Sequence, residues 1–241
     1  MATTPSLSSA SDHPEHSLDQ LNRDFEKSAP DQILRKGHEL FGEKMVLSTG
    51  FGASGVVLMH QLSLVTPGAT VFFLDTGLLF DETYELIGRI EQRMNVRFER
   101  VLPELSLEEQ AAEHGEKLWE TQPDLCCEIR KVRPLKAFLS DKEAWITAIR
   151  RDQSPTRKDT PVFQKDSHLG VIKISPLATW TEEDIWTYIR LNELPYNPLH
   201  DQGYPSIGCF PCTRPVQDGE DIRAGRWAGS SKTECGIHKP S

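Results

Sequence analysis

A short apolar run, Met45-Val46-Leu47-Ser48, gives way to Thr49-Gly50-Phe51-Gly52-Ala53-Ser54-Gly55 and then to an apolar stretch reaching Val65. A short apolar segment, closely spaced glycines and a longer apolar segment spell strand, loop and helix. The pattern recurs. Thr70-Val71-Phe72-Phe73-Leu74 reads as a second strand, Asp81 to Met94 as a helix and Asn95 to Leu102 as a third strand, with further strands at Ala144 to Ile149 and Val171 to Ile174. Strands alternating with helices form right-handed βαβ units. The expected fold is therefore α/β, a mostly parallel doubly wound sheet covered by helices on both faces. Ligands of such sheets sit at the carboxyl ends of the strands, where Ser48 and Asp75 both fall.

Residues 1–16 are rich in Ser, Thr, Pro and His without hydrophobic periodicity and are expected to form a disordered tail. Ser17 is placed to cap a first helix bearing Leu18, Leu21 and Phe25, and a second helix is expected from Asp31 to Phe41. Ser106 to Trp119 reads as helical. Thr181-Glu182-Glu183-Asp184 opens an amphipathic helix through Asn192 with a capping-box pattern, and Trp180, Trp186 and Tyr188 suit its packing against a core. Beyond Pro195 the chain is rich in Gly and Pro and needs something to hold it. The α/β domain is expected to span residues 17–215, with a mobile C-terminal tail over 216–241.

A net charge of -9 and a pI near 5.4 argue against a general nucleic-acid or anionic-membrane binder, because phosphate neutralisation needs a basic face. No apolar run nears the roughly 20 residues of a membrane-spanning helix, and the N-terminus is polar where a secretory signal is hydrophobic. The cytosol is the expected compartment. There the five cysteines point to metal binding or catalysis rather than disulfides, and an odd number cannot all pair within the chain.

Strand, glycine-rich loop and helix let backbone N–H groups and a helix N-terminus cradle a phosphate. The loop lacks the Gly-Lys-Ser/Thr of a Walker motif, and an ordinary tight turn fits the same residues. Four cysteines form two close pairs, Cys126-Cys127 and Cys209-Phe210-Pro211-Cys212. Such a set suits zinc or an iron–sulfur cluster. Adjacent cysteines do not make a zinc knuckle, whereas a four-iron cluster takes thiolates at separate irons, so a cluster ranks first. Cys209-Phe210-Pro211-Cys212 also resembles a dithiol redox motif, but its Gly- and Pro-rich flanks favour a loop and hence ligation. Arg130, Lys131 and Arg133 follow the first pair and offer compensating charge. Arg150, Arg151 and Arg157 follow a strand, on a loop suited to sulfate or phosphate oxygens, although a solvated basic loop reads the same way. Cys235 has no neighbouring cysteine, and Arg223, Arg226 and Lys232 precede it; positive charge lowers a thiol's pKa, which suits a nucleophile, while an incidental exposed thiol is the plainer alternative.

Together, Ser48-Thr49-Gly50-Phe51-Gly52, Leu74-Asp75-Thr76-Gly77, Cys126-Cys127 with Arg130-Lys131, Arg150-Arg151-Asp152-Gln153-Ser154 with Arg157, Ile207-Gly208-Cys209 with Cys212, and Glu234-Cys235-Gly236-Ile237-His238 carry a resemblance. From about Lys44 to His238 the chain resembles the assimilatory sulfonucleotide reductases, specifically the cluster-containing adenylylsulfate (APS) reductases that use thioredoxin. The resemblance implies an adenine-nucleotide α-hydrolase-like sheet with a cysteine-ligated C-terminal segment. It also implies a 4Fe-4S cluster on Cys126, Cys127, Cys209 and Cys212, and Cys235 as the nucleophile. Ser48, Thr49, Gly50, Gly52, Asp75, Lys131, Arg151, Arg157, Arg223 and Arg226 are the implied substrate-binding residues, with Lys131 near both cluster and substrate. Arg226-Trp227-Ala228 follows the family's aromatic-rich pattern only loosely.

The implied reaction is reduction of APS to sulfite and AMP through a cysteine S-sulfonate that a separate thioredoxin resolves, in sulfate assimilation for cysteine biosynthesis. A homo-oligomer without nucleic-acid or membrane partners is expected. The nearest alternative is reduction of the 3′-phosphorylated substrate, PAPS, by the same chemistry. A tRNA-thiolating ATP pyrophosphatase would read Ser-Gly-Gly-x-Asp-Ser in its loop, where this chain has Ala53 in place of the aspartate, and the acidic composition does not suggest tRNA binding. A non-catalytic zinc module would leave Cys235 and the strand-end loops without a purpose.

Overall fold

A computed structural model describes residues 16–227, 232 and 234–238. The tail expected over residues 1–16 lies outside the described residues except for its last position. Two helices, α1 (His16–Phe25) and α2 (Pro30–Phe41), lead into the sheet and place Leu18, Leu21, Phe25, Ile33 and Leu34 against the main core. Because α1 begins at His16, Ser17 lies inside its first turn rather than capping it.

The expected βαβ repeat follows: β1 (Met45–Ser48), α3 (Ala53–Val65), β2 (Ala69–Leu74), α4 (Asp81–Arg93) and β3 (Val96–Val101). The segment read as one helix from Ser106 to Trp119 is two, α5 (Leu107–His114) and α6 (Leu118–Thr121). Ser106 caps α5, and Gly115, whose positive φ of 90° favours glycine, ends it. Helix α7 (Pro123–Cys127) opens into a π-helical turn over Glu128–Val132 before α8 (Arg133–Leu139). Such turns insert an extra residue and are frequent at functional sites. The adjacent cysteines sit where this helix widens.

Strand β4 (Ala144–Ile146) is shorter than the expected Ala144 to Ile149. Its partner β1 pairs Leu47 with Ile146 and turns into the glycine loop one residue later, so the ladder has nothing to continue on. A strand not foreseen, β5 (Phe163–Asp166), pairs antiparallel with β6 (Val171–Ile174). Its half-polar sequence carries little strand signal; the pairing makes it, and Asn22 of α1 holds both the N–H and the carbonyl of Phe163 at 2.8 Å. Helix α9 (Glu182–Leu191) carries the expected capping box between Thr181 and Asp184. Trp180, Trp186 and Tyr188 pack against the main core as expected.

The six strands run in the order β3-β2-β1-β4-β6-β5, parallel except for β5. The chain winds outward on one side of β1 and returns to its other side as β4. That switch point opens a crevice at the carboxyl ends of β1 and β4, where ligands of such sheets bind. No helix among the described residues is long and apolar enough to cross a membrane.

The loop after β1 is pinned from below. Phe51 has a left-handed φ of 58°, which costs a non-glycine residue on the order of 1 kcal/mol. It is held there by burial, with its ring 5.2 Å from Phe73 and 5.6 Å from Phe98. Phe51→Ala should lower the unfolding free energy by about 3–5 kcal/mol, read as a reduced urea midpoint at unchanged slope.

Candidate active site

A cavity of about 300 Å³ occupies the crevice. One wall is the loop from Ser48 to Gly55. Ser48 accepts a hydrogen bond from Trp145 Nε1 at 2.7 Å, and Thr49 Oγ1 accepts one from the Phe51 N–H at 2.9 Å. Gly50 and Gly52 line the cavity, and α3 starts there with no side-chain cap on its first turn. Uncapped N–H groups and the positive end of the helix dipole make this end suited to an anion. The far wall is the start of α9, with Ile185 and Trp186, together with His200.

Thiols gather at the other end. All five cysteines are free. Cys127, Cys212 and Cys235 pack with Trp227 in one cluster, and Cys209 lies 3.3 Å from Thr76 Oγ1. Burial, and then the neighbouring Cys209 and Cys212, push Cys126 up to about 11. The Cys127 thiol donates to Cys235 and holds the Cys235 thiol well below its ordinary range; burial opposes this, while Lys131 and Arg226 assist. The same bond holds Cys127 in its protonated form. Burial works against the charge of Lys131, yet the thiols of Cys209, Cys235 and Cys127 keep its pKa above the usual lysine value. Among the described residues no group of three or more cysteine, histidine or carboxylate side chains is spaced to hold a single metal ion.

The sequence-derived residues divide by placement. Ser48, Thr49, Gly50, Gly52, Lys131, Arg157, Cys209, Arg223, Arg226 and Cys235 line the cavity. Asp75 and Arg151 do not. Asp75 is fully buried on the other side of β2, where its carboxylate accepts from Arg100 Nε at 2.6 Å, Tyr84 Oη at 2.7 Å and the Gly77 N–H at 2.9 Å. A second Arg100 nitrogen, Nη2, reaches the same Oδ2 at 2.5 Å, so these four contacts and full burial turn the carboxylate away from the cavity. Arg151 is turned outward into a two-point pair with Glu26, just past the end of α1, at 2.5 and 3.0 Å. Its neighbour Arg150 faces the cavity instead, tied to Ser54 Oγ and to Asp152. Arg130 is a strut, donating to the Thr76 carbonyl at 2.5 Å and to Gln110 at 3.1 Å.

Arg226 reaches the cavity because residues 213–226 fold back on themselves, with Thr213 and Arg226 bridged and Arg214 N donating to the Gly225 carbonyl at 2.9 Å. A Cβ at Gly208 would collide with the Arg226 guanidinium, so glycine is what lets that cation lie flat against the chain. Three side chains were not singled out from sequence: Trp145, Trp227 and His238. His238 stacks on Trp145 at 5.3 Å and 11°. Burial, then Lys173, Arg157 and Arg223, hold its pKa well below the ordinary histidine value, so it is neutral. Trp227 covers Cys127 and Cys235. The signal for His238 was its place in the Glu234–His238 motif; for Trp145, within an apolar strand, there was none.

The phosphoadenosine phosphosulfate reductase domain matches residues 44–215. The chain belongs to this family. It is 51% identical over 222 residues, 92% of this chain and 88% of the relative, to a protein of Salinibacter ruber named adenosine 5′-phosphosulfate reductase. It is also 51% identical to adenosine 5′-phosphosulfate reductase 2 of Bacillus subtilis, covering 86% of this chain and 88% of that one. A crystal structure of the phosphoadenylyl-sulfate reductase of Candida auris superposes with a TM-score of 0.73 at 30% identity, covering 83% of this chain and 98% of that chain. The FMN adenylyltransferase of Candida glabrata shares the fold alone, with a TM-score of 0.58 at 14% identity over 92% of this chain and 84% of that one.

Within this family fold, Asp75 is a structural acceptor. Burial and the hydrogen bond to Asp75 push Tyr84 up to about 12. A raised phenol pKa contributes stability that is complete below about pH 10 and is lost as pH rises toward the folded value. Asp75→Ala should cost about 1–3 kcal/mol and move Tyr84 ionisation, followed by phenolate absorbance, down toward the ordinary tyrosine range.

Proposed function

We propose that this chain reduces adenosine 5′-phosphosulfate to sulfite and AMP, with Cys235 as the nucleophile. The observation that carries this reading is the seating of the buried Cys235 thiol beside Lys131 and Arg226, at one end of a cavity whose other end is an uncapped helix N-terminus. Support also comes from the names of relatives about half identical to it. The enzyme is thus an oxidoreductase acting on a sulfur group.

The loop from Ser48 to Gly52 and the first turn of α3 hold the nucleotide phosphate through backbone N–H groups. Ile185 and Trp186 line the apolar end, suited to the base. Lys131 and Arg226 face the sulfonyl oxygens. The Cys235 thiolate attacks the substrate sulfur, its S–S bond forms as the bond from sulfur to the phosphate oxygen breaks, and AMP leaves with that electron pair. Cations positioned before reaction neutralise the departing and transferred anions without reorganising. A thiolate of a thioredoxin-type dithiol then attacks the Cys235 sulfur, and sulfite departs with the S–S electrons. A second thiol of that partner releases Cys235.

Cys126, Cys127, Cys209 and Cys212 suit a 4Fe-4S cluster: four free thiols converge beside Lys131, and a cluster, whose irons each take one thiolate, does not require single-ion spacing. When bound, the cluster supplies a local charge and a rigid brace rather than the electrons, which come from the dithiol. Free thiols in such number accord with a cytosolic enzyme.

Anaerobically purified protein given thioredoxin and its reductant should release sulfite from APS in preference to PAPS. Preference for PAPS would keep the mechanism and overturn the substrate. Cys235→Ser should abolish sulfite release while AMP affinity and iron content stay at wild-type levels, and Lys131→Ala should lower turnover with iron retained. Sulfite made by the serine variant would rule out the covalent route.

A further inference from the structure

Two arginines expected to meet the substrate are already engaged. Arg157 grips Glu234 at two points, Nε to Oε1 at 3.2 Å and Nη2 to Oε2 at 2.9 Å, and its third nitrogen goes to Gln153 at 2.6 Å. Arg223 Nη2 reaches the same Oε2 at 3.0 Å, and Thr156 Oγ1 lies 3.4 Å from Oε1. The triad is largely sheltered, with side-chain exposures of 13% for Arg157, 15% for Arg223 and 21% for Glu234. Burial, then the crowding by Arg157, pull Arg223 down to about 10, so it remains charged at neutral pH. Two-point arginine–carboxylate pairing fixes geometry as well as charge. The arginines come from the loop after β4 and from the folded-back arm, and Glu234 precedes the nucleophile by one peptide unit.

The other two cavity cations are differently placed. Lys131 faces the thiols of Cys209, Cys235 and Cys127. Arg226 is held by Ser206 Oγ, the Ile207 carbonyl and the face of Trp227, none of them a carboxylate. Its Nε is buried and has no hydrogen-bond partner among the described residues.

We propose that Glu234 is a positioning residue: clamped between Arg157 and Arg223, its carboxylate seats the C-terminal segment so that the Cys235 sulfur lies beside Lys131, leaving Lys131 and Arg226 to meet the transferred anion. This rests on the reading of Cys235 as nucleophile. It gives Arg157 and Arg223 a role toward the protein while both line the cavity. An attacking atom must be held close to its target geometry, and a shift of about 1 Å costs on the order of a hundredfold in rate. Removing the clamp therefore acts on the chemical step and spares nucleotide binding, which belongs to the loop after β1.

The test uses the cluster-loaded enzyme as Glu234→Gln, Glu234→Asp, Arg157→Gln and the double variant Glu234→Gln/Arg157→Gln. Hydrogen exchange of the peptide containing Glu234 to His238 should quicken about tenfold or more in Glu234→Gln without nucleotide. Turnover should fall about 10- to 100-fold, with the KM for APS and the affinity for AMP changed by less than about threefold. Glu234→Asp should recover part of both losses. Arg157→Gln should match Glu234→Gln, and the double variant should be no worse than either, as expected of one unit. Unchanged exchange in Glu234→Gln, or a loss confined to KM and AMP affinity, would overturn the proposal. Exchange and AMP affinity are read without turnover. A wild-type chain that makes no sulfite would sink the reductase reading, and exchange alone would then decide the clamp.

Discussion

A lysine ammonium withdrawn from water needs electrostatic support, and the sulfurs of Cys209, Cys235 and Cys127 supply it to Lys131. That requirement ties together parts of the chain more than a hundred residues apart. Helix α7 and the π-helical turn that continues it present Cys127 and Lys131, the turn at Phe210–Cys212 brings the second cysteine pair, and the C-terminal segment brings Cys235. Cys127 and Cys235 in turn have pKa values set by each other, by burial and by Lys131. Lys131 helps hold Cys235 toward the thiolate, whereas burial opposes ionisation of both. The group is cooperative, and no member of it can be understood by deletion alone.

The sheet supplies the other half of the site. Its strand order reverses at β1, and the loop leaving β1 is kept in place by an aromatic anchor together with polar contacts at Ser48 and Thr49. Trp145 joins the halves: its indole N–H holds Ser48 of the loop while its face carries His238 of the C-terminal segment. One buried side chain thus touches both the anion-binding loop and the segment bearing the nucleophile.

Much of this was legible in the sequence, for reasons that differ by element. Buried parallel strands with glycine-rich exits leave a pattern that survives without neighbours, so β1, β2, β3 and the repeat were readable. Strand β5 was not, because Phe163–Asp166 becomes a strand only through Asn22 and β6. The site behaves likewise. The cysteine pairs stand out by their spacing, and Lys131 as one of three cations that closely follow the first pair, its place near the substrate being implied by the family resemblance. Charge alone could not say which arginine faces inward: Arg150 and Arg151 are adjacent, and only the partner Glu26, distant in sequence, turns Arg151 away. The placement of Asp75 is likewise set by partners distant in sequence. A strand-end carboxylate signals a pocket, but Arg100, Tyr84 and Gly77 claim it from the opposite face.

The most direct test of the account is a single turnover without the dithiol partner. Cluster-loaded protein would be mixed with APS, quenched and digested, with the cysteine peptides read by mass and AMP quantified in parallel. The account predicts a sulfonate on the Cys235 peptide alone, in step with AMP release. AMP released without that adduct, or an adduct on Cys126, Cys127, Cys209 or Cys212 instead, would contradict it.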